Sequence, residues 1–257
     1  MHRRAVSTLK RLGLYTAARA AYDSLGRRRR DAGLLGLYAQ FVRPEDLCFD
    51  VGANVGNHTA LLLELGARVV AVEPQAQCFR SLERRYGADP RVELVGDAVG
   101  ARPGTAEMFL SDAHTISSMS AGWMQSVRES GRFGAHTWDA QVTVPLTTLD
   151  ALIEAYGEPR FCKIDVEGYE GEVLAGLSRP LAAVTFEFTP EFVDGALACV
   201  RRLAELGPSL FNFSSAASGE LALASWVGDE EIVRALRSLP RDAAFGDVYA
   251  RPTTLSP

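Results

Sequence analysis

The stretch Asp50-Val51-Gly52-Ala53-Asn54-Val55-Gly56 constrains the chain more than any other. It follows the short apolar run Leu47-Cys48-Phe49 and precedes Asn57-His58-Thr59-Ala60-Leu61-Leu62-Leu63-Glu64-Leu65. That succession predicts a buried strand, a glycine-rich turn and a helix. In an open α/β sheet such a turn lies beyond the carboxyl end of its strand, where ligands bind at a topological switch point. Gly52 and Gly56 remove the Cβ where the backbone must turn tightly or approach a ligand, and Asn54 tolerates a left-handed conformation.

The loop lacks the G-x-G-x-x-G spacing of a dinucleotide fold, and no Gly-Lys-Ser/Thr follows it as in a P-loop. An acid at the strand end followed by Gly-x-x-x-Gly suits a ligand with a cationic end and no phosphate, such as the amino group of S-adenosylmethionine. A tight turn with no ligand is the alternative. The next predicted strand, Arg68 to Val72, runs into Glu73. Glu73 lies about 20 residues beyond the loop, the offset at which an acid meets a ribose diol in nucleoside-binding α/β folds.

A third cluster, Lys163-Ile164-Asp165-Val166-Glu167-Gly168-Tyr169-Glu170, places several ionisable groups at one predicted strand-to-helix corner. Strand alternation would send Lys163, Asp165 and Glu167 to one side. Charges on a buried strand need partners or a cavity, so an internal Lys–Asp pair and a functional site are both compatible with the pattern.

With Thr148-Leu149-Asp150, these stretches resemble the FkbM-type methyltransferases from about residue 35 to about residue 190. The resemblance implies a Rossmann-like, doubly wound, mostly parallel sheet of the class I methyltransferase type. It also implies S-adenosylmethionine as cofactor and O-methylation of a sugar, polyketide or other small natural product. On that basis Asp50, Gly52, Asn54, Gly56 and Glu73 are expected to hold the cofactor, with Asp97 and Ala98 near its adenine. Asp165 is expected to orient or deprotonate the acceptor hydroxyl, with Glu167 assisting. His114, Ser117, Ser118 and Glu187 are candidate substrate contacts; His114 and His136 are also candidate bases, with a surface or substrate-contact histidine as the plainer reading of each. A divalent cation on Asp165 and Glu167, with Glu170 and Glu187 as further oxygen ligands, is the competing version of the chemistry. Asn57-His58 departs from the resemblance, because relatives often carry an aromatic there. A nicotinamide-dependent oxidoreductase and a non-catalytic cofactor-binding domain remain as other readings.

Around these motifs the chain alternates strand and helix, which predicts helices on both faces of one sheet. Residues 1–44 are expected to form a basic helical segment, and 45–257 the Rossmann-like domain. Arg91 to Ala98 reads as strand three, Gly104 to Leu110 as part of an added hairpin, and Gln141 to Thr147 as an extra strand. Residues 111–141 show no clear period and read as a long substrate cover. Helices are expected over Gly168 to Leu177 and Pro190 to Leu206.

Residues 1–30 carry nine Lys/Arg against Asp23 alone, and the remainder carries 18 basic and 31 acidic residues. So acidic a body argues against nucleic acid as the main partner, since phosphate contacts need clustered cations. The basic segment is expected to be a solvated or flanking helix, with docking on anionic lipid as the alternative. No run approaches the roughly 18 apolar residues of a membrane span, and no secretory signal is evident. Cys48, Cys78, Cys162 and Cys199 are scattered without C-x-x-C, which reads as reduced thiols in a cytosolic protein. Nothing in the sequence fixes an oligomeric state.

Overall fold

The computed structural model describes residues 31–215 and 219–253. The basic segment 1–30 and its lipid-docking alternative lie outside them. A helical stretch at 31–38 leads into β1 (Leu47–Val51), α1 (Asn57–Glu64), β2 (Arg68–Val72), α2 (Ala76–Tyr86) and β3 (Val92–Val95). There follow β4 (Ala98–Val99), β5 (Gly104–Leu110), α3 (Ala121–Ser130), β6 (Ala140–Thr147), α4 (Leu149–Tyr156) and β7 (Phe161–Ile164). The chain continues through α5 (Glu170–Ala175), β8 (Val184–Phe188), α6 (Val193–Leu206), β9 (Ser209–Ser215), α7 (Asp229–Arg237) and β10 (Gly246–Pro252).

Seven strands form one sheet in the order β3-β2-β1-β7-β8-β10-β9. Every pairing from β3 to β8 is parallel, and β10 runs antiparallel to both β8 and β9. Sequence order reverses between β1 and β7, so the switch point lies beside the glycine-rich loop.

The period-two alternation of the strands sorts the core into two layers. Phe49, Val51, Val70, Val72, Cys162, Ile164, Val184, Phe186 and Val248 face α4, α5, α6 and α7. Cys48, Val69, Ala71, Phe161 and Tyr249 face α1, α2 and the helical stretch at 31–38. The sheet is therefore doubly wound, as expected. All four cysteines are buried and free. None of the described helices is long and apolar enough to cross a membrane.

Four sequence expectations need correction. Strand three does not run from Arg91 to Ala98: it stops at Val95, and Ala98–Val99 joins β5 and β6 in a separate three-stranded sheet, leaving Asp97 in the break. Alternation continued through the break, which is why one strand was expected.

Residues 111–141 carry regular structure that their lack of a clear period did not indicate. They contain a 3₁₀ turn (His114–Ile116) and α3, and Ile116, Trp123, Met124, Val127 and Trp138 form a small core of their own. Ser120 caps α3 by accepting from the Trp123 amide. Trp123 and Trp138 are both buried in this core. The helix expected over Gly168 to Leu177 is shorter, Glu170–Ala175, because residues 166–169 form a turn. Last, a 3₁₀ turn at Pro190–Phe192 precedes α6, so the helix expected from Pro190 begins at Val193.

Candidate active site

Alternation also decides which polar side chains meet. Cys162 and Ile164 face one layer of the core, so Lys163 faces the other, as do Glu187 on β8 and Asp247 on β10. In register, Asp50 lies opposite Lys163, and Glu187 opposite Asp247. A band of charge thus crosses the carboxyl end of the sheet. Lys163 is 1% exposed, and its Nζ stands 3.1 Å from Asp165 Oδ2 and 3.0 Å from Asp247 Oδ1. Burial alone would push the Lys163 ammonium down, but the two carboxylates outweigh it and hold the side chain charged.

The strand ends at Ile164, so alternation no longer governs the residues after it. Asp165 keeps the strand course for one more residue, its amide donating to the Val51 carbonyl at 2.9 Å. Glu167 adopts a left-handed backbone at φ 53°, and that turn, rather than the pleat, brings its carboxylate back to Asp165. Glu170 closes the turn: one carboxylate oxygen accepts from the Val166 and Gly168 amides, each at 3.1 Å. Glu170 is thereby committed to backbone bonds and does not join the oxygen cluster of its neighbours.

Asp165, Glu167 and Glu187 each present an oxygen within 4.8 Å of the others. Burial pushes both glutamates well above the usual carboxylate range, and the Asp165 charge adds to the effect. Burial would raise Asp165 too, but Lys163 outweighs it and holds that carboxyl below its ordinary value. Asp165 is therefore ionised, while its two neighbours hold protons readily. A divergence of this kind between adjacent carboxyls is the usual basis for separate acid and base roles.

A cavity of about 870 Å³, its mouth included, opens over the carboxyl ends of β1, β2 and β7. Gly52, Asn54, Glu73, Asp97, Ala98, His114, Ser117, Asp165 and Glu167 all line it. Asp50 does not. It is fully buried behind the loop, where Thr59 donates to one carboxylate oxygen at 2.5 Å and the other has no hydrogen-bond partner among the described residues. Gly56 supports the loop from outside the cavity at φ 82°, with Tyr86 packed against it.

Glu73 is 2% exposed and accepts from the Asn54 and Gln75 amides, each at 2.8 Å. Burial lifts its carboxyl to about 7 despite those bonds. The His114 carbonyl accepts from the side-chain amides of Asn54 (3.2 Å) and Gln75 (3.1 Å), so the 111–141 segment is tied to the rim. Ser118 lies behind the wall and donates to the Glu167 carbonyl at 2.6 Å. His136 stands apart, paired with Asp112 at 3.0 Å on the exposed side.

A second cavity, lined by Lys163, Asp165, Glu187, Phe245 and Asp247, adjoins the first. Asn57, His58 and Asp165 line both. Asp247 and Gln75 were not singled out from sequence, and His58 stood out only as a departure from the resemblance. A buried lysine in β7 did demand a partner acid, but which distant strand supplies it depends on the strand order.

Comparison with known proteins gives this geometry a relationship. The match to the hexuronic acid methyltransferase AglP of Haloferax volcanii is 28% identical over 161 residues, 62% of this chain and 61% of that protein, so it spans less than two thirds of the relative's length. Among solved structures, precorrin-6y C5,15-methyltransferase from Geobacter metallireducens superposes with a TM-score of 0.45 and 11% identity, covering 87% of this chain and 86% of that one. An O-methyltransferase from Bacillus cereus, solved with SAH, gives 0.44 and 14%, covering 88% and 81%. The family profile of the methyltransferase FkbM domain matches residues 50–210, which is well over half of the sequence, and the chain belongs to that family.

Proposed function

We propose that the chain transfers a methyl group from S-adenosylmethionine to a hydroxyl of a small polar acceptor, a sugar or similar polyol. One observation carries this reading: Asp165, an ionised carboxylate beside a buried lysine, stands on the wall common to two adjoining cavities. In this reading the first cavity takes the cofactor. Gly52 and Asn54 border its methionine end, Glu73 faces the ribose, and Asp97 and Ala98 face the adenine. His114 and Ser117 close the same cavity from the 111–141 segment. The second cavity takes the acceptor, with Glu187 in its wall.

Methyl transfer from a sulfonium is an in-line displacement, so most of the gain comes from holding oxygen, carbon and sulfur in line. The acceptor hydroxyl points its hydrogen at Asp165 and loses it as the C–O bond forms. The negative Asp165 beside the sulfonium favours binding of the charged donor over its neutral thioether product, which helps the product leave and does not itself speed the transfer. The relative in Haloferax volcanii, by its name a hexuronic acid methyltransferase, supports a sugar acceptor.

Calorimetric titration with S-adenosylmethionine and its demethylated product, with NAD⁺ and NADP⁺ as controls, tests the reading. Binding of the methionine-derived ligands, weakened in Glu73→Ala, is expected. Binding of a nicotinamide cofactor alone would promote an oxidoreductase, and no binding would favour a non-catalytic domain.

The spacing of Asp165, Glu167 and Glu187 supports a second version, in which a divalent cation joins these oxygens and acidifies the hydroxyl. Lys163 already supplies positive charge beside Asp165, which favours the metal-free version. Turnover that survives exhaustive chelation is therefore expected. Loss on chelation and recovery with Mg²⁺ would establish the cation.

A further inference from the structure

We propose that His58 is the hydrogen-bond donor to the acceptor hydroxyl, and that Tyr38 positions it by fixing the tautomer of its ring. The inference rests on the methyl-transfer reading above and assigns a residue to it that the family resemblance does not supply, since an aromatic is common at this point of the loop.

His58 sits in the first turn of α1, on the wall that both cavities share with Asp165. Its Nδ1 lies 2.8 Å from the Tyr38 hydroxyl. Tyr38 is fully buried, packed on Phe161 with ring centroids 5.0 Å apart, and its hydroxyl has no other hydrogen-bond partner among the described residues. Burial also pushes the phenol well above its ordinary value, so it keeps its hydrogen.

A phenolic hydrogen buried with one acceptor in reach goes to that acceptor. If Nδ1 instead donated, the hydroxyl hydrogen would be left without a partner. Nδ1 is therefore the acceptor, and the neutral ring carries its proton on Nε2. No described residue bonds Nε2, which leaves the N–H for a ligand.

An acceptor oxygen between His58 and Asp165 has complementary uses for both. It accepts from Nε2–H with one lone pair and gives its own hydrogen to the Asp165 carboxylate. The remaining lone pair faces the methyl carbon. The C–O bond forms as the C–S bond breaks, the electron pair goes to sulfur to give a neutral thioether, and the hydroxyl proton ends on Asp165. The Nε2 proton stays on His58 throughout. In this scheme His58 aims the oxygen and shares the charge that develops on it.

The test uses the full chain labelled with ¹⁵N-histidine, its four histidines resolved by two-bond ¹H–¹⁵N correlation at pH 8 and His58 assigned with His58→Gln. The Nε2–H tautomer is expected in wild type, and a mixture in Tyr38→Phe. An Nδ1–H ring in wild type, or an unchanged ring in Tyr38→Phe, would overturn the positioning role. With the thioether product bound, methyl α-D-glucopyranoside at high concentration serves as the hydroxyl probe.

The probe is expected to shift the His58 ring signals. It should bind about tenfold more weakly to His58→Phe, while His58→Gln, which retains an N–H near the Nε2 position, stays close to wild type. An unshifted ring, or equal binding by all three proteins, would overturn the donor role. Failure of the wild type to bind the thioether product by calorimetry would instead overturn the methyl-transfer reading beneath it, and with it the donor role, but not the tautomer.

Discussion

A methyl group added to Gly52 would lie 1.8 Å from the carbonyl oxygen of Asp165. The glycine-rich loop and the acidic corner are thus packed backbone to backbone, and the hydrogen bond from the Asp165 amide to the Val51 carbonyl locks the contact. Gly52 also holds a φ of 82°, which side chains disfavour. The two motifs therefore pack as one unit, and in the proposed reaction that contact would hold the loop and the Asp165 carboxylate in a fixed relation.

Gly52→Ala is expected to break that unit. The added methyl cannot be accommodated by a side-chain shift, because the atom it meets is backbone. Strain of about 1–3 kcal/mol from the left-handed conformation adds to the clash. A lowered melting temperature and loss of S-adenosylmethionine binding are expected together. A variant that binds normally would show that the loop and corner move independently.

Lys163→Met should expose what the lysine balances. Asp165 and Asp247 would be left beside each other in a buried site with no counter-charge, a loss of about 3–5 kcal/mol for broken buried pairs. The direction with pH follows from the depressed carboxyl. Asp165 contributes stability above its ordinary value of 3.8 and loses it as pH falls through the lower folded value. The gap in stability between wild type and Lys163→Met should therefore narrow at strongly acidic pH. Denaturant titrations at pH 7 and pH 3 measure it, and Lys163→Met/Asp247→Asn should recover part of the loss. A gap that stays constant would mean that the ion pair is not the source.

Much of this was legible in the sequence, for a physical reason. Gly52, Gly56, Asp165 and Glu167 announce themselves because each motif is local: a strand, a tight turn and a helix follow from a few adjacent residues. The hydrophobic period likewise gave β2, β5 and β6 nearly to the residue. The Asp247 partner of Lys163 was not legible, because it depends on β10 inserting antiparallel between β8 and β9. Nor was α3, whose apolar face serves only the small core around Trp123 and Trp138. That core reaches the corner itself, since Gly168 at φ 89° leaves no room for a Cβ against Trp123. Asp50 illustrates the opposite limit. Its place at the strand end was evident, but that its side chain turns to Thr59 rather than to the cavity is a matter of packing.

The buried glutamates make stability fall as pH rises from about 4.5 towards neutrality. Burial lifts Glu73 and Glu170 to about 7 from an ordinary value of 4.5. Between those values the folded chain holds protons that the unfolded chain has released. Stability is then full below about pH 4.5 for these groups and declines up to about 7, by at most on the order of 3 kcal/mol for each. Glu170→Gln separates structure from titration, because one amide oxygen can accept both the Val166 and Gly168 N–H groups. The variant should fold as well as wild type at pH 7 and show a shallower decline between pH 5 and pH 8. An identical decline would place the titration elsewhere.

The charge of the acceptor is the last consequence of the same geometry. The second cavity is lined by Asp31, Glu64, Asp165, Glu187 and Asp247, against Arg85 and a Lys163 already bound to two of them. Arg85 donates to the Val55 carbonyl and lies over the Tyr86 ring, so its charge is partly engaged at the rim. A sugar carboxylate entering this cavity would meet at least one uncompensated negative charge, and repulsion at about 6 Å under an effective dielectric near 20 amounts to about 1–3 kcal/mol. A neutral or amino-bearing polyol escapes that penalty. Turnover or binding should therefore favour neutral methyl glycosides over the corresponding uronates by about tenfold or more, and Glu64→Gln, on the same lining, should narrow the margin. A uronate preferred by the wild type would mean that Arg85 leaves the rim to meet it, and Arg85→Met would then remove the preference.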